Sequence, residues 1–163
     1  MKTDLTQKSW WNYLEDDLRE LLKQSFLLAE IFGERKQEFH DYAFIVFPAA
    51  KGYEGFLKKL FLDMGFISQT DYAGRFFRLG KALNPSLEKK YRNDSWVYEK
   101  LTNYCGGDNT LGDQLWQAWR EGRNLVFHWF PNEKRALTFP EAQEKLAMIV
   151  SAMDAAFATC KIK

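Results

Sequence analysis

The chain has 163 residues, 46% hydrophobic and 17% aromatic, which supplies one buried core at the usual size of one domain, so a single domain over 1–163 is expected. A formal charge of +1 excludes a protein that coats nucleic acid by bulk electrostatics, and any RNA contact has to come from a local patch. No apolar run approaches a membrane span, and Met1-Lys2-Thr3-Asp4 leads into mixed polar sequence, so a cytoplasmic protein is expected.

Helical periodicity dominates from the start. Trp11, Leu14, Leu18, Leu21, Leu22, Ala29 and Phe32 recur at helical spacing between Trp10 and Phe32, with Ser9 as N-cap and Gly33 as stop. A polar bridge from Glu34 to Asp41 leads to the apolar run Tyr42 to Phe47, which Pro48 interrupts, so a helix is expected to restart there. From Ala49 to Met64, closed by Gly65, the residues Tyr53, Phe56, Leu57, Leu60, Phe61 and Met64 share one arc, with Lys51 and Lys58 nearly opposite. Glu54 falls beside the arc, either as a solvated partner of Lys58 at i,i+4 or as a group facing a groove between helices.

A shorter helix is expected from Asp71 to Leu83, carrying Phe76, Phe77 and Leu79 and weakened by Gly74 and Gly80. Arg75, Arg78 and Lys81 lie along one side of it, either as a solvated face or, beside the Phe side chains, as an RNA contact. Ser86 to Asn93 is too polar to assign. Ser95 to Tyr104 reads as helix and ends in the loop Gly106-Gly107-Asp108-Asn109. The next helix opens at Thr110, with Asp113 as a weak capping partner, and is expected to run to the region before Pro131. The last begins with the stronger cap Thr138-Phe139-Pro140-Glu141 and carries Leu146, Ile149, Val150, Met153, Phe157 and Cys160 on one stripe. These elements predict an all-α, antiparallel bundle of four to five main helices with short additional ones. Cys105 and Cys160 are far apart without zinc-ligand spacing, so reduced, buried thiols are expected rather than a disulfide or metal site.

The segment with most chemistry is Arg123-Asn124-Leu125-Val126-Phe127-His128, which holds one of only two histidines. A permanently charged guanidinium, an amide that donates and accepts, and an imidazole that titrates near neutrality suffice to cleave RNA without a metal. On a helical wheel Leu111, Leu115, Trp119, Gly122, Val126 and Trp129 form the core face, and Asn124 and His128 turn away from it. In a regular helix Arg123 and His128 stand about 140° apart. They converge only through distortion near the helix end or across a dimer interface. Trp116 and Phe127 add apolar surface beside Arg120 and Arg123, which favours a dimer.

The hexapeptide resembles the Arg-x4-His motif of nucleases in the HEPN superfamily, and Val46-Phe47-Pro48-Ala49-Ala50-Lys51-Gly52-Tyr53-Glu54-Gly55-Phe56-Leu57-Lys58-Lys59-Leu60 resembles its RNase LS-like toxin branch. The resemblance implies a metal-independent endoribonuclease without a cofactor, of toxin or antiphage-defence type, whose homodimer faces two motifs across one cleft. It implies Arg123, Asn124, His128 and Glu54 as catalytic positions; Arg120, Lys51 and Lys58 are expected beside them as RNA contacts. In a related branch a Tyr two residues after the motif His receives a nucleotide; here Trp129 and then Phe130 follow His128, with no hydroxyl to modify. That departure points to a protein antitoxin or regulatory partner. The alternative is a non-catalytic HEPN module that binds RNA or a protein partner.

Overall fold

The computed structural model describes residues 3–34, 39–129, 131–132 and 135–160. The expectations that concern Phe130 and residues 35–38 of the polar bridge fall outside them. Among the described residues the chain is an all-α bundle: α1 (Asp16–Glu34), α2 (Ala43–Asp63), α3 (Gln69–Ala73), α4 (Leu79–Leu83), α5 (Tyr98–Tyr104), α6 (Thr110–Trp119) and α7 (Phe139–Thr159). None of these helices is long and apolar enough to cross a membrane.

The first helix begins later than the periodicity predicts. Leu5–Gln7 and Trp11–Tyr13 form 3-10 turns, and Ser9 caps nothing. Tertiary contacts override the pattern here: Trp10 is fully buried and its indole N–H donates to Asp154 of α7 at 2.7 Å, beside a Lys8–Asp154 ion pair. Gly33 does not stop α1, which runs through it to Glu34.

α1 lies antiparallel on α2, with Ser25 against Ala49, Leu22 against Gly52 and Leu18 against Gly55. A methyl group at Gly55 would overlap the Leu18 side chain, so the close approach of the two helices depends on that glycine. The expected break at Pro48 is absent, and α2 is continuous through it. Proline lacks an N–H and its ring crowds the preceding turn. The disturbed turn finds an acceptor outside its own helix, because the fully buried Ser25 hydroxyl accepts from the Ala49 N–H at 2.7 Å.

α6 runs antiparallel to α7, with Gln114 bonded to Ser151 and Gly122 against Ile149. The Thr138–Glu141 capping box opens α7 as its sequence predicts, whereas Asp113 accepts from the Tyr98 hydroxyl at 2.6 Å instead of capping α6. The single helix expected over Asp71 to Leu83 is two short ones, interrupted at the extended Gly74. Phe76 falls in the interruption and is 88% exposed.

The expected reduced thiols are also corrected: Cys105 and Cys160 form a disulfide, with their Cα atoms 4.7 Å apart. Each ends a helix, α5 and α7 respectively, and the packing of those ends joins residues 55 positions apart. Disulfides persist in oxidising compartments and are rare in the cytosol, so the pairing bears on the cytoplasmic expectation.

Two outcomes follow for stability. Ser25→Ala removes the buried acceptor of the Ala49 N–H and should lower unfolding free energy by about 1–3 kcal/mol, read by urea denaturation. Unfolded, unreduced protein should show no thiol by colorimetric titration, and Cys160→Ser should cost about 2–4 kcal/mol. Two titratable thiols in protein purified under oxidising conditions would contradict the pairing.

Candidate active site

Glu54 occupies the middle of α2, where its neighbour Tyr53 is fully buried and donates its hydroxyl to the Leu115 carbonyl of α6 at 3.1 Å. Burial pushes the Tyr53 phenol well above its ordinary pKa, so it remains a neutral donor. This bond fixes α2 against α6 one residue from the carboxylate. Both alternatives for Glu54 are realised together: Oε1 lies 3.6 Å from Lys58 Nζ, and Oε2 lies 3.3 Å from Arg123 Nη2.

Arg123 stands on a turn unlike the rest of its helix. After Trp119 the backbone widens into a π-helical turn over Arg120–Asn124, closed by the Leu125 N–H on the Arg120 carbonyl at 2.9 Å. The helix ends there rather than continuing toward Pro131. Leu125 to His128 therefore escape the angular spacing of a regular helix, which separates Arg123 from His128. Trp129, assigned to the core by periodicity, is 73% exposed because it lies beyond this end.

Glu54, Arg123, Asn124 and His128 line one cleft of about 570 Å³. Its opposite side comes from α4 and its flanks, through Arg78, Gly80, Lys81 and Asn84. Trp119 forms part of the wall, stacked on Trp116 at 5.7 Å between centroids and with the Arg123 guanidinium carbon 5.6 Å from its ring. The Trp119 indole N–H is buried with no acceptor among the described residues. Arg78, Lys81 and Arg123 face the cleft against the Glu54 carboxylate, a balance that attracts an anionic phosphate.

The other expected RNA contacts differ in position. Lys58 pairs with Glu54 and its ammonium lies 6.0 Å from the Phe77 ring, at the edge of the cleft. Lys51 and Arg120 are not among the residues lining it: Lys51 lies over the Phe47 ring, and Arg120 pairs loosely with Glu121 at 3.9 Å. Arg78 and Lys81 belong to the basic triplet visible in the sequence, but only the fold turns them toward Arg123. Asn84 and Trp119 carry no sequence signal for the cleft, since one reads as a helix stop and the other as core.

The contact that holds Trp119 is specific. Gly80 lies under its six-membered ring, and a methyl group there would stand 2.7 Å from Trp119 Cζ3. Gly80→Ala should displace the indole, change the tryptophan emission spectrum and cost about 1–3 kcal/mol in chemical denaturation, as overpacking does. An unchanged spectrum and stability would contradict this packing.

A model of the RnaseLS-like HEPN family matches residues 12–84. The match covers α1 to α4, including Glu54, Lys51, Lys58, Arg78 and Lys81, and ends before Arg123. No curated protein and no solved structure matches the chain. Over residues 12–84, the part of the bundle that carries Glu54, the chain is therefore similar to the RnaseLS-like HEPN family.

Proposed function

We propose that the chain is an endoribonuclease that cleaves RNA by attack of a ribose 2'-OH on the adjacent phosphate, without a metal. The observation that carries the reading is the Glu54–Arg123 pair at 3.3 Å, which fixes a guanidinium in a cleft also lined by Asn124 and His128. Arg123 binds a nonbridging phosphate oxygen and stabilises the charge that grows on the phosphorane. His128 removes the 2'-OH proton as general base, or protonates the 5'-oxygen leaving group as general acid. Asn124 holds the phosphate or the imidazole, and Glu54 is a positioning residue that orients Arg123 through a charge-assisted contact.

The requirement for a 2'-OH restricts cleavage to RNA. A homodimer brings two such clefts together, and the half-exposed Phe47, edge-on to Phe127 at 5.3 Å beside the motif, supports an apolar contact there. The chain acts as a toxin or defence nuclease, and a protein antitoxin or regulator holds it silent, since no tyrosine follows His128.

The test is incubation of purified protein with RNA and with DNA of the same sequence in excess EDTA. RNA alone should be cut, and His128→Ala and Arg123→Ala should each lower the rate by about 10²–10⁴-fold. Unchanged cleavage in both variants would refute the site. Absence of cleavage under all conditions would favour a binding module, and a monomer by light scattering at micromolar concentration would refute the paired cleft.

A further inference from the structure

A second cavity, of about 360 Å³, adjoins the cleft and shares a wall with it, formed by Phe77, Arg78, Lys81 and Leu87. Its size lies within the usual range of about 300–1,000 Å³ for small-molecule sites. Phe76 lines it with 88% of its surface exposed, although an aromatic side chain at that position contributes nothing to the core. Trp96 lines it too, immobilised by its indole N–H bond to the Asn84 carbonyl at 3.1 Å and by the Arg92 guanidinium 4.0 Å from its ring.

The charges of the two cavities differ. The cations Arg78 and Lys81 stand on the shared wall, while the second cavity has the carboxylate of Asp71 on its own side. Asp71 Oδ2 is engaged by Ser68 and Ser95, the latter at 2.8 Å. The Ser95 hydroxyl is the main cause that holds this carboxyl below its usual range, so it stays an anionic acceptor. An anion there repels a phosphate and accepts from a base N–H. An aromatic face beside a basic wall is the arrangement that binds single-stranded nucleic acid, with the phosphate on the cations and the base on the ring.

From this geometry we infer that the second cavity is a base-binding subsite, in which an unpaired nucleobase next to the scissile phosphate stacks on Phe76 while Arg78 and Lys81 hold the phosphate between the two cavities. The inference rests on the RNA reading of the cleft and assigns its substrate class, single-stranded rather than duplex RNA. A base in a helix is stacked and paired, and is not available to Phe76.

The test uses a fluorescein-labelled, fully 2'-O-methylated single-stranded oligonucleotide, which has no 2'-OH and cannot be cut, with binding read by anisotropy. Phe76→Ala should weaken binding about tenfold, the loss of one base stack, and Phe76→Trp should retain it. An abasic position walked along the oligonucleotide should weaken binding by wild type at one register and have no effect there on Phe76→Ala. Annealing a complementary strand should abolish the difference between wild type and Phe76→Ala. Equal affinity of Phe76→Ala and wild type, or no binding by wild type, would overturn the subsite. Because the ligand is inert, Phe76-dependent binding by a protein that leaves natural RNA intact would uphold the subsite and refute the nuclease.

Discussion

Trp119 is held between Trp116, on which its ring is stacked, and the backbone of Gly80, and the central guanidinium of the cleft, that of Arg123, lies beside it. The residue therefore joins α4 to the end of α6 and the π-helical turn that follows it. The buried Trp119 indole N–H has no acceptor among the described residues, which costs about 1–3 kcal/mol at this wall. Aromatic packing against a glycine forms one part of the cleft wall, and Glu54, Arg78, Lys81 and Arg123 add charge to its lining.

The ion pair between Glu54 and Arg123 has a different role from that packing. Both side chains are partly exposed, at 29% and 37%, and pairs of this kind contribute about 0.2–1 kcal/mol to folding. Its significance is geometric. An arginine has a long reach and many rotamers, and a carboxylate on a neighbouring helix restricts it to one direction. Such prior orientation is what electrostatic stabilisation of a developing charge requires, since nothing then has to reorganise during the reaction.

Local signals were readable from the chain, and signals completed by distant residues were not. The Thr138–Glu141 capping box and the buried arc of Tyr53, Phe56, Leu57, Leu60 and Phe61 are where pattern places them, because four residues or one helix face determine each. Pro48 predicts a break because its compensation, the Ser25 hydroxyl, lies on another helix, 24 positions before the Ala49 N–H that it accepts from. Cys105 and Cys160 look unpaired because only the packed ends of α5 and α7 bring them together. In the cleft, Arg123, Asn124 and His128 are identifiable by residue type and spacing, whereas Glu54 is singled out only by the family resemblance. Arg78, Lys81 and Asn84 enter only when α4 folds against Trp119, and the π-helical turn has no sequence mark, since widening depends on what the turn packs against.

The fold thus makes one surface from a family-matched half and a motif-bearing half. The carboxylate comes from α2, the guanidinium and imidazole from the end of α6, and the further cations from α4. The most direct measurement of their cooperation is a double-mutant cycle on RNA cleavage, with Glu54→Gln, Arg123→Lys and both together. If Glu54 acts by orienting Arg123, the double variant should be little slower than Arg123→Lys alone, with a coupling of about 0.5–3 kcal/mol in kcat/KM. Losses that multiply independently would contradict the account.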